Sequence, residues 1–182
     1  MTALQNVGIF LVQTLFSLYI GAVVIRFLLA WSRANFYNPF SQLLVKITNP
    51  VLVPLRRMIP AAGKVDTAAI VLALGLTIVQ VLLLVGLMGK PVSLLGVVFF
   101  AVFELLRTVI HIYIFALIVQ AVMSWVGNSY GNPIADVLHS LTDPLLRPIR
   151  NVMPNMGMID LSPMVAIMLL YIVLIVLQSY GL

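Results

Sequence analysis

The feature that most restricts the fold of this chain is an internal repeat. Laid on itself with a shift of 94 residues and no gap, the sequence sets Tyr19 on Tyr113, Trp31 on Trp125, Asn38-Pro39 on Asn132-Pro133 and Thr48-Asn49-Pro50 on Thr142-Asp143-Pro144. The register continues through Pro54/Pro148, Arg56/Arg150, Pro60/Pro154, Gly63/Gly157 and Asp66/Asp160. Apolar segments match one another by composition alone, so a pair such as Ile20/Ile114 carries little weight. Matched Pro, Trp, Arg, Gly and Asp do not arise that way. Similarity at one fixed shift means one supersecondary unit used twice, and residues 1–90 and 91–182 are expected to be its two copies.

What the unit is follows from its apolar runs. A hydrocarbon core about 30 Å thick is crossed by roughly 20 apolar residues in a helix, and four stretches qualify: Met1–Trp31, interrupted by Arg26; Thr67–Met88; a third with its core at Val109–Trp125 and its start between Pro91 and Glu104; and Leu161–Leu182. With 63% hydrophobic and 8% charged residues and a mean hydropathy of +1.17, a water-soluble domain would have no way to bury so much apolar surface. The first span lacks a Lys/Arg-rich start and a small-residue cleavage site, so it is expected to be retained. Two spans per repeat return the chain to the side it entered from, so the repeats share one orientation. Parallel repeats lower the expectation of an alternating-access transporter, for which inverted repeats around broken helices are the usual mark.

Basic residues set the orientation. Arg33, Lys46, Arg56, Arg57 and Lys64 lie in the first long connection and Arg147 and Arg150 in the third, while the middle connection has Lys90. The positive-inside tendency puts both long connections in the cytoplasm and both termini outside. The net charge of +5 is read as topology, with no direct nucleic-acid contact expected. The long connections themselves read as helical: Asn38 and Asn132 are good caps followed by proline, and apolar residues fall at Phe40, Leu43, Leu44 and Ile47, and again at Ile134, Val137, Leu138 and Leu141. Each is expected to form a short amphipathic interfacial helix, with a second cap at Asn49-Pro50 or Asp143-Pro144 starting a turn that Pro54 and Pro148 keep from becoming a long regular helix. The fold class expected is an all-α membrane protein of four transmembrane helices, arranged as two parallel two-helix repeats.

The doubled block N-P-x₄-L-x₃-T-[ND]-P-x-L-x-P-x-R-x₃-P-x₂-G-x₂-D resembles the repeat of the YggT (YlmG-like) family of integral membrane proteins, over roughly residues 5 to 180. The resemblance implies a small multi-pass protein of the bacterial inner membrane with relatives in plastids. It also implies links to cell division or nucleoid positioning, to osmotic stress and, in plastids, to cytochrome assembly, none of which specifies a reaction.

Three groups of residues are candidates for function. Asp66 and Asp160 stand just before a span, where a carboxylate caps free amides and meets the positive end of the helix dipole; alternatively they pair with Arg56 and Arg150 into a clasp over each loop. Arg56, Arg57, Arg150, Arg147 and Lys46 are candidate contacts for anionic headgroups or a partner, although topology accounts for them nearly as well. Glu104, Arg107 and His111, spaced i, i+3, i+7, form a polar stripe where the first repeat has Phe10, Gln13 and Ser17; the alternatives are an interfacial ion pair with Arg107 snorkelling and an ion or proton path. Arg26 and its counterpart Gln120 pose the same question, and snorkelling suffices there.

Chemistry is otherwise sparse. There is no cysteine, the two histidines His111 and His139 fall on opposite sides of the expected membrane, and no phosphate loop or nucleophile elbow is present. No cofactor, metal or enzymatic activity is expected, and a bis-histidine haem is disfavoured. Two function classes remain: a non-enzymatic assembly or scaffold protein with membrane-protein partners or a second copy of itself, and a small channel or transporter whose path would run along Gln13, Ser17, Arg26, Thr77, Gln80, Glu104, Arg107, His111 and Gln120.

Overall fold

The computed structural model describes residues 2–63, 65–89, 91, 93–126, 132–153 and 160–181, except for the side chains of Trp125, Val126 and Tyr180. Lys64, Lys90, Pro154, Gly157 and the Trp125 side chain, all named above, therefore lie outside the described residues. Six helices follow in order: α1 Ala3–Trp31, α2 Pro39–Met58, α3 Thr67–Met88, α4 Leu94–Val126, α5 Pro133–Val152 and α6 Ser162–Gly181. Among the described residues there is no strand. α1, α3, α4 and α6 are each long and apolar enough to cross a membrane, and α4 starts inside the window expected for it. Phe10, Leu15 and Leu18 on α1, Phe99 and Phe115 on α4, and Met168, Ile172 and Ile175 on α6 are exposed. An apolar surface of that extent is suited to lipid.

Helix ends are where the sequence predicts them, for identifiable reasons. The Asn38 side chain accepts from Phe40 N at 2.9 Å and Asn132 from Ile134 N at 3.0 Å, so each long connection enters its helix through the same Asn-Pro cap. α3 begins at Asp66, whose carboxylate accepts from Ala69 N at 3.3 Å, and stops at Gly89, whose φ of 64° is the left-handed conformation glycine adopts freely. α1 closes with Arg33 N donating to Ala30 O and Ala34 N to Leu29 O, a Schellman arrangement in which Arg33 itself takes φ 55°.

One expectation is corrected. Neither Asn49-Pro50 nor Asp143-Pro144 restarts the chain: α2 runs through Pro50 and Pro54, and α5 through Pro144 and Pro148, each helix being 20 residues long. Each proline forfeits one bond to the carbonyl four residues back. All four prolines lie on exposed faces, where solvent or headgroups can satisfy the carbonyls left over, and a proline φ near −65° is already helical.

The chain divides into two compact units, Met1–Phe27 with Leu44–Thr108 and Leu28–Leu43 with Val109–Leu182. In the first, α3 buries Ala69, Ala73 and Thr77, small residues at every fourth position that let helices approach closely, followed by Val81; α2 buries Leu44, Thr48 and Leu52 while Ile47, Val51 and Val53 stay exposed. In the second, α4, α5 and α6 meet at Leu117, Leu146 and Ala166. Ile110 and Ile114 extend that core to Leu174. α5 buries Val137, Leu138 and Leu141, three of the four apolar positions read from its sequence, while Ile134 at its first turn is exposed.

Candidate functional site

The polar residues of each repeat form two links, and the same links recur at the shift of 94. The first is a clasp across ten residues. In the first unit Arg56, in the last turn of α2, donates through Nε and Nη2 to the two oxygens of Asp66. In the second Arg150, in the last turn of α5, donates to Asp160 Oδ2 through Nε at 3.0 Å and Nη2 at 2.7 Å. Capping and clasping, the two readings of these carboxylates, coexist: Asp66 also accepts from Ala69 N, and Asp160 from Ser162 N at 2.9 Å. Each carboxylate thus ties the end of an amphipathic helix to the start of the next span. For Asp160, burial alone would push the pKa up, but the hydrogen bonds from Ser162 and Arg150 and the Arg150 charge hold it below the ordinary aspartate value.

The second link is internal to the membrane end of each repeat. Arg26 on α1 is 5% exposed, and its Nη1 donates to Thr48 Oγ1, which in turn donates to Leu44 O at 2.6 Å. Gln120 on α4 meets Thr142 in the same way, and Thr142 Oγ1 lies 2.9 Å from Leu138 O. A hydroxyl has one proton to give; with the Gln120 amide turned so that nitrogen donates, the second link reproduces the first. The Arg26 guanidinium is thus engaged by a hydroxyl of α2. Sequence reasoning passed over Thr48 and Thr142 as partners, although both stood in the repeat register 22 residues beyond Arg26 and Gln120.

The remaining candidates are placed separately. Glu104 and Arg107 approach to 3.6 Å on α4, Arg107 being the less exposed of the two, and His111 is exposed one turn further along the same helix. Gln80 on α3 donates to Ser17 on α1 at 3.3 Å, and Thr77 returns its hydroxyl to Ala73 O. Lys46 and Arg57 are exposed on α2. Arg147 pairs with Asp143 at 2.8 Å, and Arg150 reaches the same carboxylate at 3.8 Å. A shallow cavity of about 260 Å³ opens between α4 and α5, lined by Gln120, Ser124, Asp136 and His139 among others. Among the described residues, no group of three or more His, Cys, Asp or Glu side chains is placed to hold a metal ion.

A family model described as CCB3/YggT matches residues 5–87 and again residues 99–181, two segments set apart by the same shift as the repeat. The chain is 41% identical over 170 residues to a protein of Escherichia coli K12 named YggT, an alignment covering 93% of this chain and 88% of that one. It is 38% identical over 175 residues to a protein of Pseudomonas aeruginosa, covering 95% and 89%. With a protein of Vibrio alginolyticus it shares 40% identity over 158 residues, covering 86% and 85%. No solved structure matches significantly.

Proposed function

We infer, because the chain belongs to the CCB3/YggT family, that this multi-pass membrane protein is a non-enzymatic assembly platform of the bacterial inner membrane, with α2 and α5 on the cytoplasmic side and both termini outside. The observation that carries the reading is the repeated Arg–Asp clasp. It fixes the end of each amphipathic helix to the span that follows, and so holds two preformed helices at the membrane surface. On α2 the side chains of Ile47, Val51 and Val53 remain exposed, next to the exposed cations Lys46 and Arg57; lipid headgroups and membrane-protein partners are the contacts such a surface suits. Four of the polar residues that a channel would use are engaged instead in links within the units, Arg26 with Thr48, Gln80 with Ser17 and Gln120 with Thr142.

Two variants separate assembly from transport. Arg56→Ala with Arg150→Ala should abolish complementation of a deletion strain while the protein still accumulates in the membrane. Glu104→Gln with Arg107→Gln and His111→Asn should complement as the parent does. Selective ion or proton flux through the purified protein in liposomes, abolished by the triple change, would overturn the assembly reading in favour of a conducting one.

A further inference from the structure

The two repeats are alike in their links and unlike in their charge. Between positions 26 and 66 there are six basic residues and one acidic; between the corresponding positions 120 and 160 there are two basic and three acidic. The difference is concentrated at one place. Gln120 shows that a neutral amide suffices to reach the threonine of α5, so the hydrogen bond to Thr48 does not by itself call for an arginine at position 26.

The charge of Arg26 is poorly matched by its surroundings. The side chain is buried to 5% exposure and lies within electrostatic range of both Arg56 and Asp66. The Asp66 carboxylate is already taken up by the Nε and Nη2 of Arg56 and by Ala69 N, so one carboxylate stands between two guanidinium groups. In the second repeat the charges balance, with Arg147 and Arg150 facing Asp143 and Asp160 and no cation at 120. A guanidinium has five N–H donors, and among the described residues Arg26 forms one hydrogen bond, through Nη1. None of its nitrogens is sealed from the surface without a partner, so the rest of the fork is open to a group from outside. A buried cation is costly unless an anion compensates it, and a planar fork with neighbouring donors is suited to phosphate oxygens.

We propose that Arg26 and Arg56 at the α1–α2 junction hold the phosphate of an anionic membrane lipid, with the buried Thr48 positioning the Arg26 guanidinium, and that the second repeat, with Gln120 and Arg150, has no such site. The shared chemistry is a phosphate oxyanion, and its position identifies the source. Arg26 stands five residues before the end of α1 at Trp31, about 8 Å along the helix, which brings its guanidinium to headgroup depth. The exposed Ile47 and Val51 flank Thr48 on α2 and offer acyl chains an apolar surface. This site is independent of the assembly reading, since a conducting protein could carry it equally.

The test uses the full chain in mild detergent, with native mass spectrometry of retained lipid after competition between phosphatidylglycerol and phosphatidylcholine of equal acyl length. The parent should prefer phosphatidylglycerol by about tenfold. Arg26→Gln, which copies the Gln120 link and so preserves the α1–α2 contact, should lose that preference. Arg33→Gln, which removes an exposed cation from the same connection, should keep it. Millimolar inorganic phosphate should leave the retained lipid in place. Equal retention of the two lipids by the parent overturns the site whatever the variants do, as does an unchanged preference in Arg26→Gln or an equal loss in Arg33→Gln. Displacement of the lipid by inorganic phosphate overturns the lipid as the source of the oxyanion.

Discussion

Arg33 takes the left-handed conformation that ends α1, with φ 55°, a position where a side chain costs about 1 kcal/mol relative to glycine. The aligned position in the second repeat is Gly127, which lies outside the described residues. Arg33→Gly should therefore raise the stability of the protein in detergent by up to about 1 kcal/mol, less what glycine adds to the entropy of the unfolded chain; thermal unfolding measures it, and a lower melting temperature would mean the arginine side chain compensates its own strain. Asp160 supplies a pH-dependent residue. Its pKa is depressed in the folded protein, so its contribution to stability is complete above the ordinary aspartate value of 3.8 and is lost as pH falls through the lower folded value. Carboxyl NMR of the full chain should show Asp160 titrating below that ordinary value, and Arg150→Gln should move the titration upward. At this scale the caps and the Arg–Asp spacing were legible because they are local or repeated. The Arg26–Thr48 link was not, because a side chain 22 residues away becomes a partner only once two helices are known to meet.

α2 and α5 show how element-level reading succeeds and where it stops. The Asn-Pro starts and the apolar spacing were visible in the sequence and identify helices. The continuation through Pro50, Pro54, Pro144 and Pro148 was not, because the cost of an internal proline depends on whether the carbonyl it strands faces solvent, which needs the packed structure. The small-residue stripe of α3, Ala69, Ala73 and Thr77, was passed over for the same reason: small side chains matter only where another helix approaches. The clasps act on these elements locally. With side chains of Arg150 and Asp160 at 34% and 44% exposure, breaking that pair should lower global stability by only about 0–1 kcal/mol. Arg150→Ala should nonetheless speed amide hydrogen exchange across the last turn of α5, near Ile149 to Met153, while leaving α4 unchanged. Uniform acceleration throughout the second unit would contradict the local role.

For the molecule as a whole, the gapless shift of 94 residues was enough to identify a twice-used unit, and the family match to residues 5–87 and 99–181 has that same register. Four apolar spans of sufficient length and two long connections carrying an amphipathic helix complete the architecture. The sequence leaves the partner of the proposed platform undefined, because apolar and basic faces such as the one exposed on α2 have no sequence signature of their own. The central claim is that the repeats are parallel, so that α2 and α5 lie on one side of the membrane. The chain has no cysteine, which makes single-cysteine labelling with a membrane-impermeant thiol reagent in intact cells the direct measurement, using Gln42→Cys on α2, His139→Cys on α5 and Ser93→Cys before α4, all at exposed positions. Position 93 should label from outside, and positions 42 and 139 only after the inner membrane is permeabilised; labelling of 42 and 139 from opposite sides would contradict parallel repeats.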